Sequence, residues 1–202
     1  MQNDAVTQIR VLLPSDADAA AGVFARAFYD DPVWSFFCDD PATRLDSLKT
    51  FFGFLARSSL GHGWLHATSE LESMCLWSPP SMEIMPESRV DDLLALVPEM
   101  LPGREELLYD FFGRVTENHP QQPHWYLSLF ATDTPHRGRG NGMKLLEGDL
   151  ELINETGMPC YLESSNPVNE ARYRSVGFEV VGAFDVCVGG PLMTTMWREG
   201  HG

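Results

Sequence analysis

The stretch from Trp125 to Ile153 constrains the fold more than any other part of the chain. Trp125 to Thr132 (Trp-Tyr-Leu-Ser-Leu-Phe-Ala-Thr) has the aromatic and apolar content of a strand. Met143, Leu146, Leu150 and Ile153 then recur at helical spacing. Between them lies Arg137-Gly138-Arg139-Gly140-Asn141-Gly142. Glycines at a strand-to-helix turn let the backbone approach a ligand closely. The first helical turn adds unpaired N–H groups and a positive dipole end, which suits an anion such as pyrophosphate. A P-loop would need Gly before Lys144 and Ser or Thr after it, but Met143 and Leu145 stand there. A dinucleotide fingerprint would need glycine at Met143, and it usually opens a domain rather than lying two-thirds along one. The remaining pattern, [QR]-x-x-G-x-[GA], is met by Arg137, Gly140 and Gly142.

Charge narrows the partners. The 202 residues carry 14 basic and 29 acidic side chains, 14 − 29 = −15. Nucleic acid and anionic membrane surfaces are disfavoured, because both demand a basic face. A cationic small molecule is favoured if the acidic residues lie near a cleft. Against this background, placing Arg137 and Arg139 in one loop is a local concentration of positive charge. No apolar run approaches the ~18 residues of a membrane span, and Met1 to Arg10 shows no secretion signal. Cys38, Cys75, Cys160 and Cys187 form no C-x-x-C and no zinc spacing. They read as reduced, mostly buried thiols of a cytoplasmic protein, with no metal site. The six histidines (62, 66, 119, 124, 136, 201) show no ligand spacing either and read as structural or exposed.

The rest of the chain reads as one mixed α/β domain over residues 1–202, with the chemistry in its second half. Gln8 to Leu13 is a first strand, and Ser15 is placed to cap a helix burying Ala20, Val23, Phe24 and Ala27. Val33 to Cys38 is a short helical turn. Ala42 to Ser59 is a second helix, ended by Gly61 and Gly63. Trp64 to Ala67 and Leu71 to Trp77 form a hairpin around Thr68 to Glu70. Ser88 to Met100 and Arg104 to Glu117 are helical, and Pro159 to Glu163 is a strand. Asn169 to Val176 is a short helix, and Phe178 to Val188 with Leu192 to Trp197 close the chain as strands.

The glycine loop resembles the acyl-CoA signature of the GNAT superfamily of N-acetyltransferases. Further segments resemble a subgroup that includes puromycin N-acetyltransferase: Ala27-Phe28-Tyr29-Asp30-Asp31-Pro32, Trp77-Ser78-Pro79-Pro80 and Trp125-Tyr126-Leu127. Tyr161-Leu162-Glu163-Ser164-Ser165 and Asn169-Glu170-Ala171-Arg172-Tyr173, followed by Gly177-Phe178, complete the match in family order. The resemblance implies a twisted mixed sheet of six or seven strands with helices on both faces. It implies two central parallel strands that splay apart to admit acetyl-CoA, here Trp125 to Thr132 and Pro159 to Glu163. Backbone groups of Phe130, Ala131 and Thr132 would hold the pantetheine arm like an added strand. The loop residues Arg137, Gly138, Arg139, Gly140, Asn141 and Gly142 would take the pyrophosphate. The family usually carries Val or Ile where Thr132 stands, and Pro where Thr134 stands, so the turn departs from the pattern.

Acetyl transfer to an amine needs a neutral amine, an oriented carbonyl, a stabilised oxyanion and a proton for the departing thiolate. Tyr173 matches the family tyrosine near the CoA sulfur and is the candidate donor to that thiolate. Glu163, at a strand end, is the candidate to accept the ammonium proton or hold the cation. Asn166 and Asn169 are candidate helix caps, with Asn169 also matching a CoA contact. Trp125 and Tyr126 are candidate walls of the acceptor site, and Asp30 and Asp31 candidate cation binders. The leading expectation is an N-acetyltransferase, monomer or homodimer, acting on a small cationic amine of the aminonucleoside or aminoglycoside kind, with antibiotic resistance as its outcome. A protein or polyamine acetyltransferase and a non-catalytic acyl-CoA sensor are the alternatives. The insert from Pro79 to Pro123 points to helices over the acceptor side, and the intact loop with Tyr173 weighs against the sensor.

Overall fold

The computed structural model describes residues 9–60, 64–80 and 82–200. Gly61 and Gly63, read above as ending a helix, lie outside the described residues, as does Gln8 at the start of the first strand. The strands are β1 (Ile9–Val11), β2 (Trp64–Thr68), β3 (Ser73–Ser78), β4 (Trp125–Thr132), β5 (Cys160–Ser164), β6 (Glu179–Asp185) and β7 (Leu192–Arg198). The helices are α1 (Ala17–Ala27), α2 (Pro32–Phe37), α3 (Arg44–Ser59), α4 (Val90–Met100), α5 (Glu105–Asn118), α6 (Asn141–Asn154) and α7 (Glu170–Ser175). The strands form a single seven-stranded sheet in the order β1-β2-β3-β4-β5-β7-β6. Only β4 and β5 run parallel; every other described pair is antiparallel.

Two local readings differ from expectation. Ser15 does not cap α1, because Pro14–Asp16 forms a 3₁₀ turn first. Asp16 rather than Ser15 organises that turn: its carboxylate accepts from the Leu13 N–H at 2.9 Å and pairs with Arg10 at 2.7 Å. The hairpin turn is longer than Thr68 to Glu70. Leu71, expected to open the strand, has φ = 60° and stays in the turn, a conformation no strand residue adopts.

Alternation along β3 divides the core between the two faces of the sheet. Met74 and Leu76 pack into the cluster that holds α1, α3 and α5, including Phe24, Phe52 and Phe111. Cys75 and Trp77 pack into the cluster that holds Leu145, Leu146 and Leu150 of α6. A buried carboxylate anchors this second face. Asp149 of α6 is 0% exposed. Its Oδ2 accepts from the Trp77 indole N–H at 3.0 Å, and its Oδ1 lies 2.6 Å from His66 Nδ1. Such a charge is tolerated inside only because both oxygens are satisfied.

Strand β4 carries an extra residue. Leu76 pairs with Leu129 and Trp77 with Leu127, so Ser128 is bulged out of the ladder. A bulge shifts the alternation by one. Trp125 and Leu127 therefore pack on the α6 face, whereas Leu129 and Ala131 pack on the opposite face. The sheet also opens at this level. The β4–β5 ladder runs Trp125↔Cys160, Tyr126↔Tyr161 and Leu127↔Leu162, then ends. Strand β4 continues to Thr132, while β5 keeps pairing with β7 as far as Ser164↔Thr194.

Candidate active site

Two cavities flank the opening between β4 and β5. The smaller, about 510 Å³, runs along the end of β4 and the start of α6, past Ala131, Thr132, Gly138, Gly140 and Gly142 to Asn169 and Arg172. Its cradle is made of backbone. Gly140 caps α6 with φ = 81°, the left-handed region where a side chain is strained. At Gly142 a Cβ atom would stand 2.4 Å from Thr132 Oγ1 and 3.2 Å from the Phe130 ring, so no larger residue lets α6 start this close to β4. The N–H groups of the first turn of α6 have no intrahelical partner, and past Leu127 the β5 side of β4 is unpaired. An extended chain ending in a pyrophosphate fits both features: the open edge takes its amides, and the helix start takes its phosphates.

The turn before this loop departs from the usual pattern, and its anchoring is visible. Thr134–His136 is a 3₁₀ turn capped by Asp133. Asp133 is held by a two-pronged pair with Arg26 of α1, at 2.9 and 2.7 Å, and its N–H donates to Glu72 O at 2.7 Å. That pairing holds the Asp133 carboxyl below its ordinary value. Thr132, in place of the usual branched aliphatic residue, exchanges a hydrogen bond with Ser73 Oγ at 2.9 Å. Arg137 donates to two backbone carbonyls, Ala27 O at 2.5 Å and Thr132 O at 3.3 Å, tying the loop to α1 and β4.

The larger cavity, about 690 Å³, lies between the sheet and α2 to α5. The Pro79 to Pro123 insert supplies much of its wall, with Ile84 and Met85, Leu93 of α4, and Phe111 and Val115 of α5. Glu163 is its buried charge. The side chain is 2% exposed, and Oε1 has no hydrogen-bond partner within the protein. The Tyr126 and Tyr161 hydroxyls are its neighbours; burial, reinforced by the Glu163 charge, pushes both above the usual tyrosine range.

Behind Glu163 stands a histidine pair that sequence spacing did not reveal. His119 Nδ1 lies 3.7 Å from Glu163 Oε1, and His119 Nε2 lies 3.1 Å from His124 Nε2. The proton positions follow from the partners. His124 Nδ1 faces Gln122 O at 2.7 Å, and a carbonyl only accepts, so this nitrogen carries hydrogen. Burial lowers the His124 pKa, so the ring is neutral and its Nε2 is an acceptor. His119 Nε2 must then donate, and its Nδ1 is the nitrogen that faces Glu163. His119 ends α5 and His124 precedes β4; only the folded insert brings them together.

Tyr173 joins the two cavities. With Phe28, Phe130 and Asn169 it lines both. Its ring sits 6.2 Å from that of Phe130 and 6.1 Å from that of Phe178. Burial pushes its hydroxyl above the ordinary tyrosine value, so it stays protonated at neutral pH.

The other candidates fall in different places. Tyr126 lines the larger cavity. Trp125 lines neither: its ring packs 4.2 Å from that of Trp64, and its indole N–H donates to Thr156 Oγ1 at 3.3 Å. Asp30 and Asp31 border the smaller cavity rather than the larger. Asp31 caps α2 by accepting from Val33 and Trp34 N–H, and accepts from Ser165 Oγ at 2.6 Å. Asn166 accepts from Val168 N–H at 3.1 Å as a cap, and Asn169 accepts from Arg172 at 2.6 Å. All four cysteines are buried, and burial raises each thiol, Cys38 and Cys160 to about 11. Among the described residues no cluster of three His, Cys, Asp or Glu side chains is placed to hold a metal, and no helix is long and apolar enough to cross a membrane.

The fold is that of GNAT-type acetyltransferases, and proteins with such names are similar to this chain. In sequence, the chain is 24% identical over 180 residues to a Schizosaccharomyces pombe protein described as an uncharacterized N-acetyltransferase, covering 81% of this chain and 70% of that one. In structure, it is similar to a Corynebacterium glutamicum protein described as histone acetyltransferase HPA2 and related acetyltransferase. The TM-score is 0.70 at 22% identity, over 96% of this chain and 97% of the other. It is also similar to arylalkylamine N-acetyltransferase 2 from Aedes aegypti, with a TM-score of 0.60 at 13% identity over 96% and 99% of the two chains. No protein-family model matches the sequence.

Proposed function

We propose that the protein transfers an acetyl group from acetyl-CoA to a small amine held in the larger cavity, by direct attack within a ternary complex. One observation carries this reading: a backbone cradle and a cavity with a buried carboxylate meet at a single tyrosine, Tyr173. Acetyl-CoA supplies the activated acyl group. Phe130, Ala131 and Thr132 hold the pantetheine arm, and the loop from Arg137 through Gly138, Arg139, Gly140 and Asn141 to Gly142 holds the pyrophosphate. Asn166 and Asn169 shape the far wall.

Glu163 binds the incoming ammonium and takes its proton at Oε1, and His119 Nδ1 accepts that proton onward. Tyr173 donates a hydrogen bond to the leaving sulfur. Full proton transfer is the weaker option: reference values of about 10 for tyrosine and 8.5 for a thiol already make it uphill by roughly 2 kcal/mol, and burial widens the gap. No cysteine intermediate is needed, in keeping with four buried thiols held protonated. Asp30 and Asp31 shape the wall of the smaller cavity, and Trp125 supports the sheet beneath.

The finer reading, an aminonucleoside-type antibiotic as acceptor, rests on the resemblance of residues 27–32, 77–80 and 125–127 to that subgroup. The roof formed by α4 and α5 favours a small molecule over an open peptide groove. Acetyl-CoA should raise the melting temperature, and Gly140→Glu should abolish the rise by setting a carboxylate at the pyrophosphate site. Thiol release should follow on adding amines, with puromycin, kanamycin and a lysine peptide as discriminating acceptors. A mutant that still responds to acetyl-CoA removes the loop assignment.

A further inference from the structure

We infer that the acceptor is a monoamine carried on an apolar body, alkyl or aromatic, rather than a polyamine or an amino sugar. This deepens the acetyltransferase reading and rests on it. The chemistry of the larger cavity is lopsided. Its wall is built from Trp34, Phe51, Leu93, Phe111, Val115 and Met193, which come from the sheet and from α2 to α5. Its charged lining residues are three carboxylates, and no lysine or arginine lines it. Two of them, Glu83 and Glu87, are exposed and stand at the rim. The third, Glu163, is buried, with Oε1 lacking a partner.

A buried acceptor atom without a partner is costly unless a ligand satisfies it. One ammonium does so, in a cavity that meets the cofactor cradle at Tyr173. The rim carboxylates draw a cation toward the mouth. Beyond Glu163 the wall is mainly aromatic and aliphatic; Thr116, Ser128, Ser164, Ser165 and Asn169 add uncharged polar groups but no counter-charge. A second ammonium there would lose water without a counter-charge, and a ring of hydroxyls would find fewer partners than it has donors. An alkyl or aryl group instead gains by leaving water. A long acyl chain on the donor would also like such a wall, but it would leave Glu163 Oε1 unpaired.

Thiol release by the full chain at saturating acetyl-CoA tests the inference, with linear amines from propylamine to heptylamine, phenethylamine, putrescine, spermidine and kanamycin. The expected result is a kcat/KM that rises about fourfold per methylene, the value of one buried CH₂. Putrescine should lie at least roughly 100-fold below pentylamine, which has the same number of heavy atoms, because its second charge is buried unpaired. Glu163→Gln should raise the KM for pentylamine about tenfold or more, with acetyl-CoA affinity by calorimetry unchanged. A flat alkylamine series, or putrescine or kanamycin matching pentylamine, overturns the inference. So does octanoyl-CoA serving better than acetyl-CoA alongside a flat series, which would give the cavity to the donor. Acetyl-CoA binding with no turnover of any apolar amine overturns it as well. Failure of acetyl-CoA to bind at all instead removes the underlying acetyltransferase reading.

Discussion

The two cavities are made from different materials. The smaller is shaped by the main chain: a left-handed Gly140, a missing Cβ at Gly142 and an unpaired strand edge. Much of its wall comes from one run of sequence, Phe130 to Met143. The larger is shaped by side chains gathered from Phe28 to Met193. A site made of backbone recognises what its ligands share, which under the proposed function is an amide-bearing arm and a pyrophosphate. A site made of side chains recognises what distinguishes one ligand from another. The first should therefore be brittle to any change of backbone space, and the second tunable.

The largest effect should come from the brittle side. Gly142→Val forces atoms into Thr132 and Phe130. A displacement of about 1 Å costs roughly 100-fold in rate, so kcat/KM should fall at least that much, with acetyl-CoA affinity by calorimetry falling alongside it. Near-normal affinity would mean the cradle is not set by this approach. Next comes the junction. Tyr173→Phe should lower kcat roughly 100-fold, the usual loss for one donor to developing charge, while acetyl-CoA affinity stays within about threefold. An unchanged kcat removes the tyrosine from the chemistry.

On the tunable side the effect should be smaller. His119→Ala should lower kcat about tenfold, one 1.36 kcal/mol step in the barrier. Added imidazole should restore part of it, which a merely structural role would not allow. Smallest of all is a pH effect on stability. His124 has its pKa lowered by burial, so protons bind it more readily in the unfolded chain. The stability it contributes is complete above the unfolded value near 6.5 and is lost as pH falls from there through the folded value. Thermal melts should therefore drop between pH 7.5 and pH 5, and drop less in His124→Gln.

The same contrast explains what could be read from sequence. The strand–loop–helix unit from Trp125 to Ile153 was legible because glycine spacing and hydrophobic periodicity are local signals. So was the order of most elements. Ser15 misled because a hydroxyl at the right position is not yet a cap; Asp16, with Arg10 as partner, instead holds the 3₁₀ turn that precedes the helix. Trp125 and Tyr126 are adjacent aromatics that no pattern separates, yet one is held against Trp64 and the other lines a cavity. The His119–Glu163 pair spans 44 positions, so nothing in its spacing could announce it. Asp30 and Asp31 carry charges suited to a cation but face the smaller cavity. Charge can be counted from a sequence, whereas the side of a wall on which it stands depends on the fold.

The bulge at Ser128 makes β4 behave like a reading frame. Upstream of it odd-numbered residues face α6, and downstream they face the other way. Removing one residue away from the bulge would change its parity, exchanging the faces of every side chain on one side of the cut, whereas removing Ser128 itself would leave a regular ladder with Leu76↔Leu129 and Trp77↔Leu127 kept. Removing two would keep the parity and only shorten the strand. Away from the bulge, length changes in β4 should therefore be tolerated in even steps and rejected in odd ones, although each missing residue is chemically unremarkable. Ser128 is the position where a single deletion keeps both faces, and a substitution scan that replaces it without deleting it will miss that.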